Sequence, residues 1–193
     1  MYEEVTEIFL ELLKNNNFIS QFQLTKEELN DFIQYEVNSC QEPDISLVIQ
    51  DYENHDIIGF ILATTYPKNN VNKYKKIKNK LFIDYLEKMN LEYDKNFKGF
   101  FSFISNSLKY IVKILYHGIK LTHQNKGFGK ILRNQLIKRC KEMEYNKIIF
   151  QTINPVMINI WLTNSKFKIK NENKLEINSD YITIIEGEIS DLI

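Results

Sequence analysis

Residues 109–130 read KYIVKILYHGIKLTHQNKGFGK. The first half reads as a strand, the second as a turn that opens a helix. Tyr110, Val112, Ile114 and Tyr116 alternate with Ile111, Lys113, Leu115 and His117. A strand over Lys109–Leu121 is therefore largely apolar on both faces and belongs inside a sheet. Gly118 marks either a bulge or a close backbone approach. Gln124-Asn125-Lys126-Gly127-Phe128-Gly129 follows, and Lys130–Met143 reads as an amphipathic helix with Ile131, Leu132, Leu136, Cys140 and Met143 inward. Two glycines one residue apart let the backbone turn tightly and approach a ligand. A helix that starts there aims unpaired N–H groups and a partial positive charge into the turn. The result is an anion site, most naturally for phosphate. A Q/R-x-x-G-x-G match arises by chance in about one chain of this length in ten, with glycine at roughly 7% of residues. The turn could equally be an ordinary strand-to-helix connection, so its neighbours decide.

Downstream, Lys147–Ile153 is a further strand. Asn154-Pro155 opens a short helix through Trp161 and Leu162, with Pro155 suited to its first turn. Phe167–Lys170 and Tyr181–Glu186 read as closing strands. Upstream, Val5, Ile8, Phe9, Leu12 and Leu13 predict a helix over residues 3–14, ended by the loop residues Asn15–Asn17. Thr25 and Glu28 form a capping box, and Leu29, Phe32, Ile33 and Val37 line one face of the helix it starts. Ile45–Gln50 and Ile57–Thr65 flank a polar turn, which predicts a β-hairpin. Residues 68–80 are rich in Lys and Asn and read as a solvated surface segment. Leu81, Tyr85, Leu86 and Met89 predict a helix after it. Phe97, Phe100, Phe101 and Phe103 form an aromatic cluster that reads as core or as pocket lining. The order of elements predicts an α/β (mixed α+β) layer structure in one domain over 1–193, with a helical insert at about 68–108.

Composition is that of an ordinary globular chain: 193 residues, 44% hydrophobic and 26% charged. A net charge of zero and a pI near 6.8 give no reason to expect nucleic acid or a membrane surface as partner. Cys40 and Cys140 lack metal-ligand or redox spacing and read as free thiols in a reducing compartment. The acidic N-terminus has no signal-peptide pattern, and no apolar run reaches transmembrane length. A cytoplasmic protein with no metal is expected.

The succession of strand, Gln124–Gly129 turn, helix, strand, Asn154, helix, Trp161 and Phe167 resembles the GNAT superfamily of acyl-CoA-dependent N-acetyltransferases. The six turn residues match that family's Q/R-x-x-G-x-G/A signature, and Asn154 and Trp161 have the spacing of its Asn and Tyr. The resemblance implies a GNAT fold, with a central mixed, twisted sheet of about six to seven strands flanked by helices. It implies acetyl-CoA as cosubstrate, held at Gln124 and by backbone N–H groups from Asn125 to Lys130, through Lys126, Gly127, Phe128 and Gly129. Lys126, Lys130 and Arg133 would add charge to the phosphates, and Asn154 and Trp161 would also contact the cofactor. The strand Tyr116–Ile119 would pair with the pantetheine arm, with the N–H of Gly118 or Ile119 on the thioester carbonyl. The N-terminal half resembles the arylalkylamine branch, and amino-sugar-phosphate enzymes are similar too. The implied reaction is direct acetyl transfer to a small primary amine, such as an arylalkylamine or glucosamine 6-phosphate, by an enzyme that is commonly a homodimer.

The chain departs from its relatives at the chemistry. The central strand carries no Asp or Glu, and Phe22-Gln23 stand roughly where the arylalkylamine branch has Glu-Pro. His117 is then the candidate general base. Trp161 replaces the tyrosine that protonates the leaving thiolate, and an indole N–H cannot deliver a proton. Tyr116, Tyr181 or a water would have to do so. A protein or peptide acceptor and a non-catalytic acyl-CoA-binding module are the alternatives. Gly127-Phe128-Gly129-Lys130 lacks the spacing of nucleotide-phosphate loops.

Overall fold

The computed structural model describes residues 2–40, 45–65, 74, 76–101, 111–163, 167–174 and 181–189. Three helices come first: α1 (Tyr2–Lys14), α2 (Asn17–Ser20) and α3 (Lys26–Ser39). The hairpin β1 (Leu47–Gln50) and β2 (Ile57–Thr65) leads to α4 (Lys80–Phe101). Then follow β3 (Ile111–Ile119), α5 (Phe128–Glu142), β4 (Lys147–Thr152), α6 (Pro155–Leu162), β5 (Lys168–Lys174) and β6 (Tyr181–Glu188). The mixed sheet has six strands in the order β1-β2-β3-β4-β6-β5. Among the described strands, only β3 and β4 run parallel. One face packs on α1, α3 and α4 and the other on α5 and α6. Cys40 and Cys140 are buried thiols outside any disulfide. No helix among the described residues is long and apolar enough to cross a membrane.

Local chemistry sets the helix starts. The capping box forms as the sequence predicts. Thr25 Oγ1 accepts the Glu28 N–H at 3.1 Å, and Glu28 Oε2 accepts the Thr25 N–H at 3.1 Å. The second Glu28 oxygen accepts the N–H groups of Lys78 and Asn79 at 2.8 and 2.9 Å. These backbone donors hold the Glu28 carboxyl below its ordinary range. Asn79 in turn accepts the Phe82 N–H at 3.0 Å, which caps α4. One carboxylate thus ties the starts of α3 and α4 together.

Two local expectations need correction. The Asn15–Asn17 run does not simply end α1, because Asn16 Oδ1 accepts the Ile19 N–H at 3.3 Å and starts the single turn α2. The stretch 68–80 is not wholly solvated either. Ile77 is buried, and Tyr74 packs its ring 5.7 Å from that of Phe32. Residues 68–73 and 75 lie outside the described set, as do Phe103 and the side chains of Phe97, Phe100 and Phe101.

β3 carries the feature that shapes the molecule. Its register with β2 runs Leu62↔Tyr116 and then Ala63↔Ile114, so Leu115 is an extra residue, a β-bulge. Leu115 and Tyr116 consequently both pack on the α1/α3 side, whereas Val112 and Ile114 face α5. The bulge is at Leu115 and not at Gly118. Gly118 marks a close approach instead: a Cβ there would lie 2.5 Å from Leu12 Cδ1. Pairing of β3 with β4 starts at Ile111↔Lys147 and stops at Ile114↔Phe150, although both strands continue. β4 stays paired with β6 as far as Thr152↔Thr183. The two central strands therefore diverge and leave an opening between them.

Phe32 is 2% exposed and packs against Phe9, Tyr74, Phe82 and Tyr116. Phe32→Ala should cost about 3–5 kcal/mol in chemical denaturation. A loss below about 1 kcal/mol would show that this side of the sheet is not a packed core.

Candidate active site

The opening leads into a cavity of about 1090 Å³. Three regions meet in it. The end of β3 forms one wall, the end of β4 with the start of α6 forms another, and the glycine turn closes the mouth. An arm extends under α1, α3 and α4, lined by Phe9, Phe32, Tyr74, Phe82, Tyr85 and Tyr116.

The turn is built from two left-handed residues, Asn125 at φ 61° and Gly127 at φ 86°. Asparagine tolerates this region and glycine has no penalty there. Gly127 is the N-cap of α5 and offers no side chain to the first N–H groups of the helix. Its carbonyl accepts the N–H groups of Lys130 and Ile131 at 3.0 and 3.2 Å. The N–H of Lys130 is thus spent inside the helix, which shortens the expected donor set to residues before it. A Cβ at Gly127 would meet nothing within 4 Å, so the space before the turn is open. Gly129 serves packing: a Cβ there would lie 3.3 Å from Ile160 Cδ1 and 3.6 Å from His117 Nε2. Gln124 Nε2 donates to the Ile119 carbonyl at 3.0 Å and ties the turn to the end of β3. Lys126 and Lys130 are exposed at the mouth.

The end of β3 presents donors to the opening. Lys120 donates its N–H to Ile58 O on the β2 side at 2.8 Å. By the two-residue alternation of a strand, the N–H groups of Ile119 and His117 face the β4 side. Ile119, rather than Gly118, is therefore the available donor. Asn154 is the N-cap of α6, accepting the Val156 N–H at 2.9 Å on its side-chain oxygen. Asn154 also lines the cavity.

Four expectations are corrected here. Arg133 does not reach the turn. It is 6% exposed, and its guanidinium donates to Ile160 O, to Thr163 Oγ1 at 3.0 Å and to Asn134 Oδ1, which closes the C-terminal end of α6. Trp161 is 0% exposed, wedged between Phe150 and Phe167 at ring distances of 4.9 Å, so it is core and not a cofactor contact. His117 does not titrate near neutrality. Burial pushes its pKa down to about 4, with the Arg133 charge adding to the effect. Both ring nitrogens are buried without a partner among the described residues, and the ring stands edge-on to Trp161 at 6.0 Å. Tyr116 points to the opposite face of β3 from His117. Its ring lies 4.4 Å from that of Phe9, and burial raises its phenol well above the ordinary value. Tyr181 opens β6 opposite Lys174.

Sequence reading passed over Glu36 and Tyr74. Glu36 is 3% exposed, and the Tyr74 hydroxyl donates to its Oε1. A signal existed: Glu36 falls on the α3 stripe of Leu29, Phe32, Ile33 and Val37, where a charge is out of place. Among the described residues, no group of three or more His, Cys, Asp or Glu is placed to hold a metal ion.

No profile of a known family and no curated protein sequence matches the chain. Solved structures do. A mosquito protein described as arylalkylamine N-acetyltransferase 7, from Aedes aegypti, superposes with a TM-score of 0.75 at 10% identity over 97% of this chain and 83% of its own. The C-terminal condensation domain of Ebony, solved with beta-alanyl-dopamine, gives 0.73 at 13% identity over 97% and 93%. A protein from Salmonella typhimurium, described as an acetyltransferase and solved with its cofactor acetyl-CoA, gives 0.57 at 11% identity over 96% and 86%. The chain has the GNAT fold.

The His117 ring is neutral in the folded chain down to about pH 4, below the ordinary value of 6.5. The unfolded chain takes that proton first, so stability is lost as pH falls from about 6.5 through about 4. Across that window wild type should lose on the order of 3 kcal/mol more than His117→Gln. Denaturant titrations at a series of pH values measure it, and parallel curves would contradict it.

Proposed function

We propose that the protein is an acetyl-CoA-dependent N-acetyltransferase acting on a small primary amine with an apolar or aromatic body. One observation carries this reading. A divergence between two parallel strands, a helix N-terminus with an open glycine turn, and an aromatic arm all meet in one cavity.

The residues present fit the cosubstrate. The open space at Gly127 and the uncapped N–H groups at the start of α5 suit a pyrophosphate, with the helix dipole and the exposed Lys126 and Lys130 adding positive potential. The unpaired end of β3 suits an extended pantetheine arm, which would take up backbone groups that β4 leaves without partners. Acetyl-CoA supplies the activated acyl group. In this reading the Ile119 N–H holds the acyl carbonyl as charge develops on it. Gln124 fixes that strand end, and Asn154 offers an amide donor from the facing wall. The aromatic arm brings the amine from the α1/α3 side, so both reactants occupy one cavity and transfer is direct.

The arm also selects among acceptors. Among the described residues that line the cavity, the one Lys or Arg is Lys130, at the turn. Among the described residues the arm offers a sugar phosphate no cation, whereas it offers an aryl ring Phe9, Phe32, Phe82 and Tyr85. The Ebony domain's bound beta-alanyl-dopamine supports the same preference.

Acetyl-CoA at a hundred times its Kd should stabilise the chain by about 2.7 kcal/mol. Gly127→Val should abolish that stabilisation at an intrinsic cost of about 1–2 kcal/mol for the left-handed backbone. Thiol release should be faster with tryptamine or phenethylamine than with glucosamine 6-phosphate, spermidine or a peptide. Stabilisation without turnover of any amine would leave an acyl-CoA-binding module. No stabilisation would reduce the glycine turn to a connection.

A further inference from the structure

The arm of the cavity ends against a buried carboxylate. α3 presents Leu29, Phe32, Ile33, Glu36 and Val37 inward, and Glu36 is as buried as its apolar neighbours. A carboxylate taken out of water is retained at such a place only with strong hydrogen bonds. The Tyr74 hydroxyl supplies one, on Oε1. Tyr74 lines the cavity and Glu36 does not, so of the pair Tyr74 is the one that reaches the space a ligand would occupy.

The surroundings define what this pair can do. Tyr35 packs its ring 5.1 Å from that of Tyr74, and burial together with the Glu36 charge raises the Tyr35 phenol. Tyr116 faces the same cluster, with Glu36, Tyr74, Tyr85 and Cys40 as the titratable groups around it. Burial first, and then the Glu36 charge, drives the Tyr74 phenol far above its ordinary range. Tyr74 therefore stays protonated and donates to Glu36, while its oxygen can accept from a donor in the arm. A carboxylate and a ring of aromatic faces make a site for an ammonium group.

We propose that Glu36 takes the proton that the acceptor amine must lose before it attacks, and takes it through the Tyr74 hydroxyl. This rests on the acetyltransferase reading and supplies the carboxylate that the central strand lacks. A primary alkylamine is an ammonium ion at neutral pH. Its N–H donates to the Tyr74 oxygen. As that proton moves onto the oxygen, the phenol proton moves to Glu36 Oε1, so Tyr74 is neutral before and after. The freed nitrogen pair forms the C–N bond to the acyl carbon, the C–S bond breaks, and its electron pair leaves on sulfur. The second proton lost from nitrogen neutralises that sulfur, and Glu36 returns its proton to solvent. Glu36 acts through Tyr74 and is a positioning residue in this scheme; Tyr74 is the group that touches the amine.

The test uses Glu36→Gln, Tyr74→Phe and Glu36→Asp in the full chain, with tryptamine as acceptor. Melting and acetyl-CoA calorimetry come first, then kcat/KM against pH. Wild type should be flat through neutrality because it deprotonates the bound ammonium itself. Glu36→Gln and Tyr74→Phe should bind acetyl-CoA like wild type and lose about 10²–10⁴-fold in kcat/KM at neutral pH. Their rates should climb about tenfold per pH unit towards the pKa of the amine, since only free amine then reacts. Glu36→Asp should restore the flat profile at a lower rate. A profile parallel to that of wild type in Tyr74→Phe, the milder change, would overturn the proposal, whatever Glu36→Gln does to folding. A wild-type chain that binds acetyl-CoA and acetylates no amine would overturn the acetyltransferase reading itself, and is told apart by that result alone.

Discussion

The pairing of β3 with β4 ends at Ile114 and Phe150, and the arrangement of the molecule follows from that ending. A bulge at Leu115 shifts the register of β3 against β2 on one side. On the other side, β6 holds β4 along its whole length. Neither strand can relax towards the other. Each keeps backbone donors and acceptors directed into an apolar interior, where unpaired groups are costly. The opening is thus a place that favours an extended, polar chain as occupant.

The bulge also decides which side chains meet that opening. It turns Tyr116 towards α1 and α3 and leaves His117 facing α5. On the first face the cavity is aromatic and ends at the Glu36–Tyr74 pair. On the second, His117, Gly129 and Ile160 pack closely, and Trp161 fills the space behind them. The glycine turn sits at the edge between the faces, where α5 starts. One side of the sheet is therefore suited to an apolar amine and the edge to an anion, with the strand gap between them.

Much of this could be read from residue patterns because the controlling chemistry is local. The Thr25–Glu28 box, the apolar runs of β2 and β3, and the Gly127–Gly129 turn are each decided within a few residues. What was hidden depends on partners distant in sequence. Glu36 stands out of place on the apolar stripe of α3, but its partner Tyr74 lies in a stretch whose composition suggests only surface. Trp161 has the spacing of a ligand-binding residue and Arg133 follows the turn closely, yet packing from Phe167 and capping of α6 claim them. The His117 proton affinity is set by burial against α5 and α6, which no pattern within β3 reveals.

Amide hydrogen exchange with and without acetyl-CoA tests the central claim most directly. The account predicts slowed exchange confined to the end of β3, around Ile119, and to the turn from Asn125 to Gly129. The β5–β6 edge should be unchanged. Protection absent from both segments, or present only at that edge, would contradict the idea that the divergence of β3 and β4 forms the binding site.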